Sequence, residues 1–205
     1  MIHTVDLFAG CGGLTEGFES TGGFHTLAGV EWEKEPCKTL SKRLSEKWGH
    51  SDAHNKVMRF DIQRIDELFE GWSDDPSYGD GVGLNAIIGK KSVDLIVGGP
   101  PCQAYSLAGR IRDENGMHDD YRNYLFESYL KVVERTRPKA FLFENVEGML
   151  SAKPGRVSIV DRITKDFASI GYSIMDNLRR FALVNVADYG VPQNRKRVFI
   201  LGLDN

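Results

Sequence analysis

Short apolar runs alternate with amphipathic stretches along the chain, which is the signature of consecutive βαβ units. The runs at residues 4–8, 25–30, 57–60, 93–97, 140–143 and 197–201 are predicted strands, with another near 173–178. Between them, Leu125, Tyr129, Val132 and Val133 recur at helical spacing, as do Ile159, Ile163, Phe167 and Ile170. Pro138 stops the first of these helices and Gly171 the second. The pattern predicts an α/β fold.

Two regions break the rhythm. Residues 71–91 hold Gly71, Pro76, Gly79, Gly81, Gly83 and Gly89 among several Asp and Ser, and read as a surface insertion. Residues 98–120 form a long polar stretch after the fourth strand. Such loops at the carboxyl ends of parallel strands usually carry function.

A chain of 205 residues suits one α/β domain with a sizeable core, or one domain with an extension. Hydrophobic residues make up 41% and charged ones 27%, a globular rather than a disordered balance. No apolar run approaches membrane-spanning length, so no membrane partner is expected. Residues 1–8 have no basic leader and read directly as a core strand, which points to a cytoplasmic protein. Cys11, Cys37 and Cys102 are an odd number without paired spacing. They read as free thiols in a reducing compartment, and no metal site is expected. The net charge of −3 argues against an extended nucleic-acid surface but leaves room for a local basic patch.

Candidate chemistry gathers at predicted strand ends. Asp6 to Phe18 read as a strand, a glycine turn and a helix, and the glycines allow close backbone approach to a ligand. A glycine-rich turn without a ligand is one alternative. A dinucleotide site is another, disfavoured because Thr15 stands where the third glycine of G-x-G-x-x-G belongs. The second strand ends at Glu31-Trp32, a carboxylate suited to ribose hydroxyls and a flat face suited to a purine. The third ends at Asp61-Ile62, where a carboxylate could accept from an adenine amino group. Taken singly, each of these residues is more often simple packing; three in succession suit an adenosine moiety.

The fourth strand runs into Gly98-Gly99-Pro100-Pro101-Cys102, a stiff backbone ahead of a thiol placed like a nucleophile. An inert buried cysteine is the bland alternative. Glu144 directly follows the apolar Phe141, Leu142 and Phe143. It is either salt-bridged or held with a raised pKa, poised to donate a proton. Arg195 and Arg197 fall on one side of the last strand, either as a solvated edge or as an anion or carbonyl contact.

Together these residues resemble the DNA (cytosine-5) methyltransferase family. The likeness rests on DLFAGCGGLTEGF at 6–18, GGPPCQAYS at 98–106, FENVEGML at 143–150 and QNRKRVFI at 193–200, with RNYLF at 122–126 as a weaker element. It covers nearly the whole chain apart from 71–91. The resemblance implies a doubly wound, mostly parallel sheet of the S-adenosylmethionine-dependent methyltransferase (Rossmann-like) type, with residues 197–201 as its antiparallel strand. It implies that Cys102 adds to carbon 6 of a cytosine flipped out of DNA, so that carbon 5 takes the methyl of S-adenosylmethionine and S-adenosylhomocysteine is released. Glu144 would hold N3 and the exocyclic amine, Arg197 the O2, and Arg195 the catalytic loop or a phosphate. Phe8, Gly10, Gly12, Leu14, Glu31, Trp32, Asp61, Ile62, Pro100 and Leu125 match the family's cofactor pocket. Asn145 would help fix the Pro-Cys loop, and the 98–120 loop, with Arg110 and Arg112, would close over the base.

Family members continue into a target-recognition region and a segment completing the cofactor pocket, neither visible in residues 1–205. The expectation is one catalytic domain, from a truncated chain or a split enzyme, acting on double-stranded DNA with a complementing carboxy-terminal region or subunit. A tRNA cytosine-5 methyltransferase, a catalytically silent methyltransferase-like binding module and a dinucleotide-dependent oxidoreductase are the rivals. The residues leave open a bacterial restriction–modification system, a solitary methyltransferase or a phage as the source.

Overall fold

The computed structural model describes residues 1–101, 123–153 and 158–205. Cys102, Arg110, Arg112 and the rest of the proposed closing loop to 120 lie outside the described residues.

The parallel half of the sheet is built from β1 (Ile2–Leu7), β2 (Phe24–Glu31), β3 (Val57–Arg59), β6 (Leu95–Gly98) and β7 (Ala140–Val146). A second group comprises β8 (Tyr172–Ile174), β9 (Leu183–Asn185) and β10 (Lys196–Asp204). Among the described residues these form one sheet of order β3-β2-β1-β6-β7-β10-β8, with β9 also paired to β10. Strands β3, β2, β1, β6 and β7 run parallel to one another. β10 is antiparallel to β7, and β8 and β9 are antiparallel to β10. The antiparallel strand is where the sequence places it, extended to Asp204.

The helices include α1 (Gly13–Glu19), α2 (Lys34–Glu46), α3 (Ala53–Lys56), α4 (Ile65–Glu70), α5 (Gly83–Ile88), α6 (Asn123–Thr136), α7 (Ile159–Ser169) and α8 (Leu178–Phe181). The helical stripes read from the sequence face the core: Leu125, Tyr129, Val132, Val133, Ile159, Ile163 and Phe167 are all buried. Strand β6 is buried along its length, as a parallel strand covered on both faces must be. The Tyr129 phenol is sealed inside and donates to the carbonyls of Ile96 and Leu142 at 3.3 and 3.1 Å, so its burial leaves no polar group unpaired. Phe141 and Phe167 stack at 3.9 Å beneath the sheet.

Two expectations change. The strand near 173–178 stops at Ile174, because Asn177 turns the chain with φ +54° and Leu178 begins α8. The 71–91 segment is no plain surface loop. It contains a hairpin of β4 (Trp72–Asp75) and β5 (Gly79–Gly81), followed by α5 with Leu84 fully buried.

Chain order reverses between β1 and β6. The crevice at the carboxyl ends of these strands is the favoured ligand position in such a sheet. A polar cluster closes the opposite end. His25 and His50 stack at 4.5 Å with their planes 10° apart. The Lys56 Nζ stands 3.2 Å from His25 Nε2, 2.9 Å from His50 Nδ1 and 3.1 Å from Asp52. Glu19 lies 3.2 Å from His50 Nε2 and accepts the Thr26 amide at 2.7 Å. The Glu19, His25 and His50 ligand atoms lie within 4.8 Å of one another. Parallel rings cannot aim their in-plane lone pairs at one metal, however, and the lysine ammonium already bridges both imidazoles.

Burial first, and then the Lys56 charge, hold both imidazoles below the ordinary value of 6.5. The folded chain therefore favours neutral histidines. Their contribution to stability is complete above an unfolded pKa of about 6.5 and declines as pH falls from there through the lower folded values. Denaturant midpoints measured from pH 7 downwards should fall across this window. The H25N/H50Q chain should show a flatter profile, and an unchanged profile would remove the cluster from the explanation.

Candidate active site

The glycine turn after β1 is conformationally demanding. Phe8, Gly10 and Gly12 have φ of +56°, +53° and +88°. A Cβ at position 12 would also stand 2.6 Å from Leu40 Cδ1, so a larger residue there would have to move that buried side chain as well as adopt the left-handed backbone. The turn is tied to the end of β2 by Glu31, whose two carboxylate oxygens accept the amides of Gly10 and Glu33 at 2.9 Å each. Each oxygen keeps a further lone pair for a ligand hydroxyl. Thr15, the residue that breaks the dinucleotide pattern, has a task of its own. Its amide and hydroxyl donate to buried Asp6 at 3.2 and 2.7 Å, pinning α1 to β1. Burial pushes the Asp6 carboxyl up to about 7 against these two bonds.

Beyond the turn lies a cavity of about 310 Å³ lined by Phe8, Val30, Glu31, Trp32, Phe60, Asp61, Ile62, Gly99, Pro101 and Leu125. Six predicted cofactor residues line it directly: Phe8, Glu31, Trp32, Asp61, Ile62 and Leu125. Trp32 is 49% exposed, so one face is free for stacking. Gly10 and Gly12 shape the turn that holds Glu31, and Leu14 is half-buried on α1. Pro100 is buried between two lining residues and accepts from Asn145 Nδ2 at 3.4 Å. Val30, Phe60, Gly99 and Pro101 also line the cavity, a role their sequence pattern did not assign them. The available signal was adjacency, because each directly neighbours a residue already singled out.

Gly99 is the wall between this cavity and the second group. A Cβ on Gly99 would come 2.7 Å from Glu144 Oε2, so glycine lets the carboxylate lie against the backbone. Glu144 is reached by Arg197, whose Nε donates to Oε1 at 2.9 Å. The antiparallel register sets this meeting: Phe199 faces Glu144 and Arg197 faces Val146. Burial raises the Glu144 carboxyl above the ordinary glutamate range, and the charges of Arg197 and Arg195 only partly oppose it. Arg195 is exposed. With Lys196, Arg197, Gln193, Asn194 and residues 146–148 it lines an open cleft of about 600 Å³ beside the pair.

The arrangement offers a small acidic cavity with an aromatic platform, a carboxyl whose pKa burial raises, and a basic cleft between the end of β7 and the start of β10. The described chain leads into the Cys102 position through Pro100, which Asn145 anchors.

The C-5 cytosine-specific DNA methylase family matches residues 2–205. The Type II methyltransferase M.Bpa9945I of Bacillus paralicheniformis is 37% identical, over 97% of this chain and 53% of its own length. M1.HphI of Haemophilus parahaemolyticus, also a Type II methyltransferase, is 34% identical over 97% of this chain and 45% of its own length. Among solved structures, the S. pombe Dnmt2 methyltransferase shares the fold, with a TM-score of 0.64 at 17% identity over all of this chain and 51% of that one. The chain thus spans about half the length of the curated relatives it matches. With a family match that covers all but the first residue, the chain belongs to the C-5 cytosine-specific DNA methylase family.

Proposed function

We propose that residues 1–205 form one catalytic domain of a DNA (cytosine-5-)-methyltransferase, taking a methyl group from S-adenosylmethionine and acting on cytosine in double-stranded DNA. The observation that carries this reading is Glu144, held by Arg197 against the same Gly99 backbone that walls the cavity.

The cavity suits an adenosyl group without phosphates. Its described lining includes Glu31 and Asp61 but neither lysine nor arginine, which repels a pyrophosphate and welcomes a cation. This disfavours the dinucleotide rival. Glu31 would take the ribose hydroxyls, Asp61 the adenine amine, and Trp32, Phe8, Ile62 and Leu125 the apolar surfaces. Gly10, Gly12, Leu14 and Pro100 would shape the walls. When bound, S-adenosylmethionine supplies an electrophilic methyl group on a sulfonium.

The chain's residues would prepare the base. Cytosine carbon 5 is too weak a nucleophile unaided, so Cys102 adds as thiolate to carbon 6 and carbon 5 gains enamine character. The raised pKa of Glu144 keeps a proton available for N3 as electron density moves there. Arg197 would take O2, and Arg195 a phosphate or the loop that carries Cys102. Once carbon 5 has taken the methyl group, N3 would return its proton to Glu144, and loss of the remaining carbon-5 proton to water would expel Cys102 as thiolate and restore the ring. A stacked base hides carbon 6, so the base must leave the helix at a cost of about a few kcal/mol.

The family description favours DNA over tRNA as substrate, and the Type II methyltransferase relatives favour an active enzyme over a silent module. Their additional length is the place to seek a complementing carboxy-terminal region or subunit. Among the described residues no helix is long and apolar enough to cross a membrane. The setting we propose is cytoplasmic and DNA-associated, as for a restriction–modification enzyme.

Duplex DNA with 5-fluorocytosine should be trapped covalently in the presence of S-adenosylmethionine, because fluorine blocks the elimination step. Mass spectrometry should show the adduct with the natural chain and none with Cys102→Ala. An adduct gained only after adding a relative's carboxy-terminal region would place essential DNA contacts there. No adduct under either condition would overturn the reading.

Glu144→Gln should lower the methylation rate by about 10²–10⁴-fold. In the natural chain the proton on Glu144 is lost as pH rises through its elevated pKa, so the rate should acquire a falling alkaline limb. Methyl incorporation across pH should show that limb missing from the Gln variant, and identical profiles would exclude Glu144 as the proton source.

A further inference from the structure

Nothing in the proposed chemistry uses the 71–91 segment, yet its hairpin is tightly coupled to the cavity. Trp72 lies face to face with Phe60, ring centroids 3.8 Å apart and planes 20° apart. Tyr78 meets the same ring edge-on at 5.1 Å. Phe60 in turn lines the cavity. Trp72 can lie across the hairpin because its cross-strand partner is Gly81, where a Cβ would stand 2.2 Å from the indole. Gly71, Gly81 and Gly83 permit close packing here, where a Cβ would stand 2.7, 2.2 and 2.4 Å from its nearest neighbour.

A second tether is ionic. The Asp75 side chain is only 8% exposed. Its Oδ2 accepts from Arg64 Nη1 at 2.5 Å, while its Oδ1 accepts the amides of Ser77 and Tyr78 at 2.8 and 2.9 Å and so closes the hairpin turn. Arg64 also binds Glu67 through Nε at 2.6 Å and covers the Phe60 ring at 4.6 Å. The Arg64 amide donates to the Asp61 carbonyl at 3.1 Å, and the Gln63 amide to Asp61 Oδ1 at 3.0 Å. A five-residue run thus carries the cavity residues Phe60, Asp61 and Ile62 together with the clamped Arg64. Charge-assisted bonds of this kind fix geometry as well as adding energy.

We propose that the hairpin is a positioning element of the nucleoside cavity. Trp72 and Tyr78 brace Phe60, Asp75 fixes the Asp61 turn through Arg64, and together they set affinity and base selectivity for the adenosine half of the methyl donor. The inference rests on the proposed function, since it assumes an adenosyl ligand. Trp72 and Asp75 touch no ligand in this scheme; they act through Phe60 and Asp61.

Two measurements test it, one of them without ligand. In hydrogen–deuterium exchange of the free chain, Trp72→Ala and Asp75→Asn should each speed exchange at the Gln63 and Arg64 amides by about tenfold or more, with β1 and β7 unchanged. Unaltered protection at 63 and 64 would overturn the brace. In calorimetric titrations the natural chain should prefer S-adenosylhomocysteine to S-inosylhomocysteine by about 10–100-fold, because a carbonyl facing the Asp61 carboxylate cannot replace an amine. Both variants should bind S-adenosylhomocysteine about tenfold more weakly and lose most of that preference, while Trp72→Phe retains it. General loosening would weaken both ligands equally, so a preserved preference in the variants overturns the inference. A natural chain that binds neither thioether, alone or with a relative's carboxy-terminal region added, overturns the cofactor reading, and this inference with it.

Discussion

Glu144 can stand where it does because Arg197 stands beside it and position 99 has no side chain. A carboxylate entering a half-buried site loses hydration that only a partner or a proton can replace. Here the partner arrives on an antiparallel strand, with Arg197 opposite Val146 so that its guanidinium reaches back to Glu144. A one-residue slip of β10 would send Arg197 to the other face of the sheet. The register of the last strand and the state of the central acid are therefore one constraint. The opposition is also incomplete: burial outweighs the two arginines and holds the carboxyl above the ordinary glutamate range.

The same economy runs through the first turn. Glu31 closes the glycine turn through the Gly10 amide and steadies the start of the next helix through Glu33, while standing at the cavity wall. Asp6 holds the other side of that turn through Thr15. Phe8, Gly10 and Gly12 keep left-handed backbone between these two carboxylates. The strain lies beside the ligand cavity, where surrounding contacts over-determine it.

The sequence made most of this legible because βα junctions concentrate chemistry at strand ends. The glycine turn, Glu31, Trp32, Asp61 and Glu144 could be located where short apolar runs end, and Arg197 where the last such run begins. Lining residues such as Val30 and Phe60 were harder, because an apolar side chain at a strand end looks the same whether it faces the core or a cavity. The hairpin inside the 71–91 insertion was hard to see for a related reason. Glycine marks conformational freedom and close approach with the same letter, and only the position of Trp72 against Gly81 tells them apart. Thr15 counted only as a break in a dinucleotide pattern, since its bond to Asp6 spans nine residues and no local period carries it. The short β8 shows the limit of apolar patterning, where a single left-handed Asn177 ends what hydrophobicity alone would continue.

Net charge is a poor guide to partners when charge is segregated over short distances. The chain carries −3 overall, which taken as an average argues against a polyanion. Yet Arg195, Lys196 and Arg197 line one cleft whose described lining holds one carboxylate, Glu147, with Glu144 paired to Arg197 beside it, while Glu31 and Asp61 face the adjoining cavity without a described cation among the lining residues. Fields at this range act over roughly a Debye length, about 8–10 Å at physiological salt, so a ligand responds to the cleft it enters rather than to the whole chain. A phosphate-bearing substrate and a cationic donor can then be drawn to neighbouring sites. Gly99 makes the adjacency possible: its bare backbone walls the cavity and leaves room for Glu144, and a side chain there would displace Glu144 from Arg197.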